Sequence, residues 1–210
     1  MKLIITEEQY NKIFEMAYPA SFNMEEFKTL RNFAQRFQYC KQRLEYISSG
    51  SGRYVFGIDE YMVLKLAKNQ KGVAQNQQEV DVAAYSSVVG RIYDYDDNFL
   101  WIEMERVNKI TPNQFKQLTG IDFKTFQENI KYHDLMVVHP SRYLRMVKPE
   151  NHNELWENEF FMDIADLIGS YDMPSGDLTR INSYGVTRNG QVKLVDAGLN
   201  QDVHDTYYKR

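Results

Sequence analysis

Hydrophobic positions along the first 44 residues repeat with a helical period. Thr6 and Gln9 have capping-box spacing, and Tyr10, Ile13, Phe14 and Ala17 follow on one face up to the Tyr18-Pro19 break, which predicts a short first helix. A longer helix is predicted from near Asn23, with Phe27, Leu30, Phe33, Ala34, Phe37, Cys40 and Leu44 as its buried stripe. From Leu44 the period drops to two. Three strands are predicted: one ending near Ser48, one at Arg53 to Ile58 and one at Tyr61 to Ala67, with Asp59-Glu60 in the last turn. In the third, Met62, Leu64 and Leu66 take one face and Val63, Lys65 and Ala67 the other.

The segment VAQNQQEVDVAAYSSV, residues 73 to 88, reads as a helix packing through Val80, Ala83, Ala84 and Val88. Two strands follow in GRIYDYD and FLWIEME. Beyond Val107 helices are predicted at about 112 to 118, 122 to 132 and 154 to 168, the last facing inward through Trp156, Phe160, Ile164, Leu167 and Ile168 and ended by Gly169. Asn189-Gly190 between the extended runs SYGVT and QVKLV predicts a hairpin with a two-residue turn, both turn residues at positive φ.

Composition narrows the classes. With 210 residues, 43% of them hydrophobic, the chain can bury a sizeable core as one large domain or two small lobes. A formal charge of -4 gives no general attraction to nucleic acid or to anionic membrane, so any polyanion site must be local. The basic stretch RYLRMVK, residues 142 to 148, is such a local patch, but a solvated face is the preferred reading of it over contact with nucleic acid or a phosphate-bearing substrate. A lone cysteine, Cys40, excludes an internal disulfide and fits a reducing compartment; its place on an apolar stripe points to packing. No apolar run reaches the ~18 residues of a membrane span, and acidic residues interrupt the N-terminus before a signal core develops, so a cytoplasmic protein is expected. The four histidines lack zinc-like spacing, and neither G-x-S-x-G nor G-x-x-x-x-G-K-[ST] occurs.

Candidate chemistry gathers around the predicted hairpin. The chain goes out and returns, bringing Asn182, before the first strand, and Asp196, after the second, to one end, with Asp177 in the loop that feeds it. Oxygen donors of this kind suit Mg²⁺, which takes one or two ligands from protein and the rest from water and phosphate. Asp and Asn also serve as ordinary turn formers. Upstream, Gly50, Ser51 and Gly52 lie between two predicted strands, where backbone N–H groups can approach phosphate. Lys65 sits within an apolar strand and needs a partner there; Glu79 on the next helix could neutralise and aim it, or form a structural ion pair with it.

In this order the residues resemble the protein kinase-like phosphotransferases, which include protein kinases and small-molecule kinases for aminoglycosides and choline. The likeness runs over about residues 47 to 199: glycine-rich hairpin, strand lysine, helix glutamate, hinge strand, D-x-x-x-x-N, hairpin and D-x-G. It implies an α+β, bilobal protein kinase-like fold: an N-terminal helical extension (1–46), a small antiparallel-sheet N-lobe (47–106) and a truncated, mainly helical C-lobe (107–210). It implies ATP and Mg²⁺ as cofactors, with Gly50, Ser51 and Gly52 covering phosphates, Lys65 holding them and Glu79 as its partner. Glu103 and Met104 would run beside the adenine, Asp177 would be the catalytic aspartate, and Asn182 and Asp196 the metal ligands.

The chain also departs from that pattern. Val55 stands for the third glycine, Ser175-Gly176-Asp177 replaces H-R-D or H-G-D, and Ala197 replaces the phenylalanine of D-F-G. Twelve residues follow Gly198, which implies that an acceptor platform comes from elsewhere in the chain or from another protein. Two functions are therefore carried forward: an ATP-dependent phosphotransferase with an unidentified protein or small-molecule acceptor, and a pseudokinase-like nucleotide-binding or protein-interaction scaffold. The opening MKLIITEEQYNKIFEM is similar to the start of tailed-phage proteins, which implies a viral source.

Overall fold

The computed structural model describes residues 18–138 and 147–208. The helix predicted over residues 6 to 17, His139, and residues 142 to 146 of the basic stretch lie outside them. The chain is α+β, as predicted, and divides into two compact units: residues up to Val73 with Tyr93–Arg106, and Ala74–Ile92 with Val107–Arg210.

The first unit holds helices α1 (Met24–Thr29) and α2 (Phe33–Arg43) and strands β1 (Glu45–Ser49), β2 (Arg53–Gly57), β3 (Met62–Ala67), β5 (Trp101–Glu105) and, from Tyr93 on, β4 (Ile92–Tyr95). The strands form one sheet in the order β1-β2-β3-β5-β4. The long helix predicted from Asn23 is two helices, because Asn32 adopts extended backbone and its side chain caps the amide of Gln35. Cys40 is fully buried on α2, and burial pushes its thiol up to about 12.

Register divides the sheet into two faces. Leu64 pairs with Phe56 and Glu103, and Leu66 with Tyr54 and Trp101; this face packs with Phe27, Tyr39 and Cys40 of the two helices. Lys65 pairs with Val55 and Ile102, and Val63 with Met104, on the other face.

The second unit is mainly helical. Helix α3 (Gln70–Ala83) leads into it, followed by β6 (Asn108–Lys109), α4 (Pro112–Thr119), α5 (Phe123–Val138), α6 (His152–Leu155), α7 (Glu159–Tyr171), the single turn α8 (Ser175–Leu178) and a 3₁₀ turn, Ile181–Ser183. Strands β7 (Tyr184–Val186) and β8 (Val192–Leu194) and helix α9 (Gln201–Tyr207) complete it. Its core is aromatic: the Phe115 ring lies 5.0–5.5 Å from those of Phe123, Phe126, Phe160 and Tyr184. The order β6-β7-β8 makes a small sheet, which Val89 extends by bridging to Leu194.

Four local expectations change. Helix α3 begins and ends earlier than predicted, because Asn69 accepts the Gly72 amide at its start and Val88 and Val89 leave it to pair with β8. Its buried residues include Gln75, Asn76, Glu79 and Val82, while Ala84 is exposed. The helix predicted at 154 to 168 is broken by Asn158, which caps Phe161 and also donates to the Thr119 carbonyl. Gly169 lies inside α7; the stop comes at Asp172, in the left-handed region at φ 51°, with Pro174 two residues on. The hairpin turn spans three residues, not two: the Gly190 N–H donates to the Thr187 carbonyl, the Thr187 N–H donates to the Gln191 carbonyl while Thr187 Oγ1 accepts the Gln191 N–H, and within the turn only Gly190 has positive φ, at 79°. That is a type I turn with a glycine bulge, a standard alternative for a three-residue loop.

Candidate functional site

Lys65 lies on the central strand of the five-stranded sheet, buried, on the same face as Val55, Ile102 and Met104. The side chain of Glu103 is on the opposite face, among the helices, where the Tyr18 hydroxyl donates to its Oε1 at 2.6 Å. Of the predicted adenine-side pair, then, only Met104 shares the face of Lys65. Burial is the largest cause of a Glu103 pKa raised to about 7; the nearby charge of Asp94 adds to it, while the Tyr18 bond and Lys28 oppose it.

Gly50, Ser51 and Gly52 form the β1–β2 turn, as predicted. The turn is closed on itself: the Gly50 N–H donates to the Arg53 carbonyl at 2.9 Å, and the Gly52 carbonyl accepts from Lys68 N at 2.8 Å. The Lys68 ammonium bonds Ser49 Oγ and the Gly50 carbonyl and stands over the Tyr54 ring at 4.2 Å. Gly72, in the first turn of α3, comes so close to this turn that a Cβ there would lie 2.1 Å from the Gly52 carbonyl oxygen.

In the second unit one backbone bond closes the open end of the hairpin. The Val195 N–H donates to the Ser183 carbonyl at 2.8 Å, so Asn182 and Asp196 are the next residues outward on the two sides of one hairpin end. Glu79 is fully buried and accepts the Ala197 N–H at 3.4 Å, which ties α3 to the segment that carries Asp196.

Asp177 sits in α8, half-buried, with Arg180 Nη1 3.2 Å from its carboxylate. Burial, the largest cause, raises its pKa, and the negative charge of Asp196 adds to the rise; Arg180 and His204 oppose it. Asp177 therefore feels Asp196 across the loop. The carboxylates of Asp177 and Asp196 thus interact, and Asn182 adjoins Ser183 of the closing bond; carboxylate and amide oxygens are the hard donors that Mg²⁺ takes. Among the described residues no group of three or more His, Cys, Asp or Glu side chains is placed to hold a metal ion.

The loop is held by residues that no motif marks. Ser175 Oγ donates to Asp134 Oδ2 at 2.9 Å, Gln127 Nε2 to the Thr179 carbonyl at 2.7 Å, and the Tyr184 hydroxyl to the Leu178 carbonyl at 2.7 Å. Helix α9 joins them, its Gln201 N–H bonded to the Asp172 carbonyl and Asn200 to Gln78. Ser175 had a signal, as the odd residue in S-G-D. Asp134, Gln127 and Arg180 had none, since polar residues on a helix or in a loop are ordinary in sequence.

No family model and no curated protein matches the chain. Similar solved structures include a choline/ethanolamine kinase family protein from Mesorhizobium loti, at 13% identity and TM-score 0.38, covering 74% of this chain and 57% of that one. A second is APH(2'')-IIa in a ternary complex with streptomycin and ATP, at 13% identity and TM-score 0.37, covering 81% and 72%. A third is the ADP-bound aminoglycoside phosphotransferase APH(2'')-Ib, at 13% and 0.35, covering 79% and 69%. The chain thus spans little more than half the length of the first. At TM-scores this low, the functional reading rests on the residues of the chain itself. Among the described residues no helix is long and apolar enough to cross a membrane.

Proposed function

We propose that this chain is an ATP- and Mg²⁺-dependent phosphotransferase of protein kinase-like type, acting on a hydroxyl of a protein or small molecule. The observation that supports the reading is the hairpin end: the Val195 N–H bonds the Ser183 carbonyl, Asn182 and Asp196 adjoin those two residues in sequence, and the charge of Asp196 acts on Asp177. Asn182 and Asp196 would hold Mg²⁺, whose chemistry there is to neutralise phosphate charge. Asp177 orients the acceptor hydroxyl and takes its proton as the oxygen attacks the γ-phosphorus; the phosphoryl group moves to that oxygen and ADP leaves. The raised pKa of Asp177 suits a base working nearer neutrality than an ordinary carboxylate. Lys65 neutralises phosphate oxygens.

A second reading, a nucleotide-binding or interaction scaffold without turnover, is favoured by the β1–β2 turn. Its Gly50 N–H and its Gly50 and Gly52 carbonyls are already engaged within the chain. Radiolabelled ATP with Mg²⁺ separates the two. Turnover by wild type that Asp177→Ala reduces at least 100-fold, with the nucleotide-dependent thermal shift retained, supports the first. A thermal shift in both proteins with no transfer or hydrolysis in either supports the second.

A further inference from the structure

We propose that Ser175 and Asp134 are a positioning pair that fixes the single turn carrying Asp177. The inference rests on the phosphotransferase reading for its effect on turnover, but not for its structural content. Helix α8 is one turn of four residues, and Pro174 at its N-cap supplies no side-chain hydrogen bond. A turn that short has little stability of its own, since nucleation costs more than one or two bonds return. Its geometry is therefore imposed by neighbours.

Leu178 is fully buried and, with the Tyr184 bond to its carbonyl, fixes the far end; Gln127 holds the Thr179 carbonyl just beyond. At the near end Thr179 Oγ1 donates to the Ser175 and Gly176 carbonyls within the turn, and Ser175 Oγ, two residues before Asp177, donates to the carboxylate of Asp134, which ties this end to α5. A hydrogen bond to a charged acceptor is about twice as strong as a neutral one, so this contact is the stronger anchor for its size. Asp134 and Gln127 are two turns apart on α5, and their partners Ser175 and Thr179 bracket Asp177. One rigid helix thus grips the turn on both sides of the reacting carboxylate, and neither grip uses that carboxylate.

Two measurements test this in the full chain. The amides of Asp177, Thr179 and Arg180 are bonded within the turn, so their hydrogen exchange reports its opening. Ser175→Ala should speed their exchange roughly tenfold or more, while amides of α7 keep their wild-type rates. Ser175→Thr, which keeps a hydroxyl, should restore slow exchange, and Ser175→Ala with Asp134→Ala should be no worse than either alone. In turnover, Ser175→Ala should lower kcat about tenfold with the KM for ATP unchanged. Unchanged exchange in Ser175→Ala overturns the proposal. So does faster exchange with wild-type kcat. If wild type transfers no phosphate, the phosphotransferase reading falls, and exchange alone then decides whether the pair holds the turn.

Discussion

Glu103 is a carboxyl group on the face of a sheet strand that packs against helices, and it is almost wholly buried. In an unfolded chain it would titrate near 4.5; in the fold burial carries it to about 7. Between those values the folded state binds more protons than the unfolded one, so stability falls as pH rises through the window. Stability from this group is fully present below pH ~4.5 and is lost once Glu103 ionises, a difference of about 3 kcal/mol. The groups that face it act in both directions: Asp94 adds to the rise, while Tyr18 and Lys28 oppose it. Glu103→Gln keeps a carbonyl acceptor for the Tyr18 hydroxyl and cannot titrate. Urea midpoints at pH 5, 6, 7 and 8 should decline for wild type and hold steadier for the variant, which overtakes it by pH 8. Parallel curves would show that folding is not linked to this proton.

Elements were legible where they bury apolar residues and illegible where they bury polar ones. The period-two runs gave β2 and β3 to within a residue or two, because Phe56, Leu64 and Leu66 alternate with the other face. Helix α3 was misphased, because Gln75, Asn76 and Glu79 are buried and no hydrophobic pattern can announce a polar buried stripe. The hairpin was legible from Asn189-Gly190, but its turn type depended on backbone bonds that sequence does not display. Near the candidate site, the approach of Ser183 to Val195 was readable because a hairpin sets it by local geometry. The supports of Asp177 were not, since Asp134 and Gln127 reach it from 41 and 52 residues away from their partners.

Contacts between elements also separate two glycines that look alike in sequence. Alanine at Gly72 would set a Cβ 2.1 Å from a backbone oxygen, so α3 and the β1–β2 turn must part; that outweighs the roughly 1 kcal/mol alanine gains over glycine in a helix. Gly72→Ala should lose roughly 1–2 kcal/mol. At Gly50 a Cβ meets nothing within 4 Å, and Gly50→Ala should stay within about 0.5 kcal/mol of wild type. Denaturant melts of both variants check the contrast, and equal effects would refute the close approach at Gly72.

At the scale of the whole molecule, two units have their own apolar clusters, and each contains one of the two tryptophans, Trp101 in the first and Trp156 in the second. Two cores allow two unfolding transitions, and Trp101→Phe and Trp156→Phe would leave one reporter apiece. A ligand that binds only the folded state stabilises it by about 2.7 kcal/mol at a hundredfold excess over Kd. For a chain of this length that is a rise in Tm of roughly 5–11 °C. The proposed function assigns phosphate oxygens to Lys65 of the first unit and Mg²⁺ to Asn182 and Asp196 of the second. ATP with Mg²⁺ should then raise the fluorescence melt of both single-tryptophan proteins. If one ligand engages both as proposed, EDTA or Asp196→Ala should remove most of the rise from both. A rise confined to the Trp156 reporter would take Lys65 out of the nucleotide site. A rise that survives EDTA and Asp196→Ala would take the metal out of it.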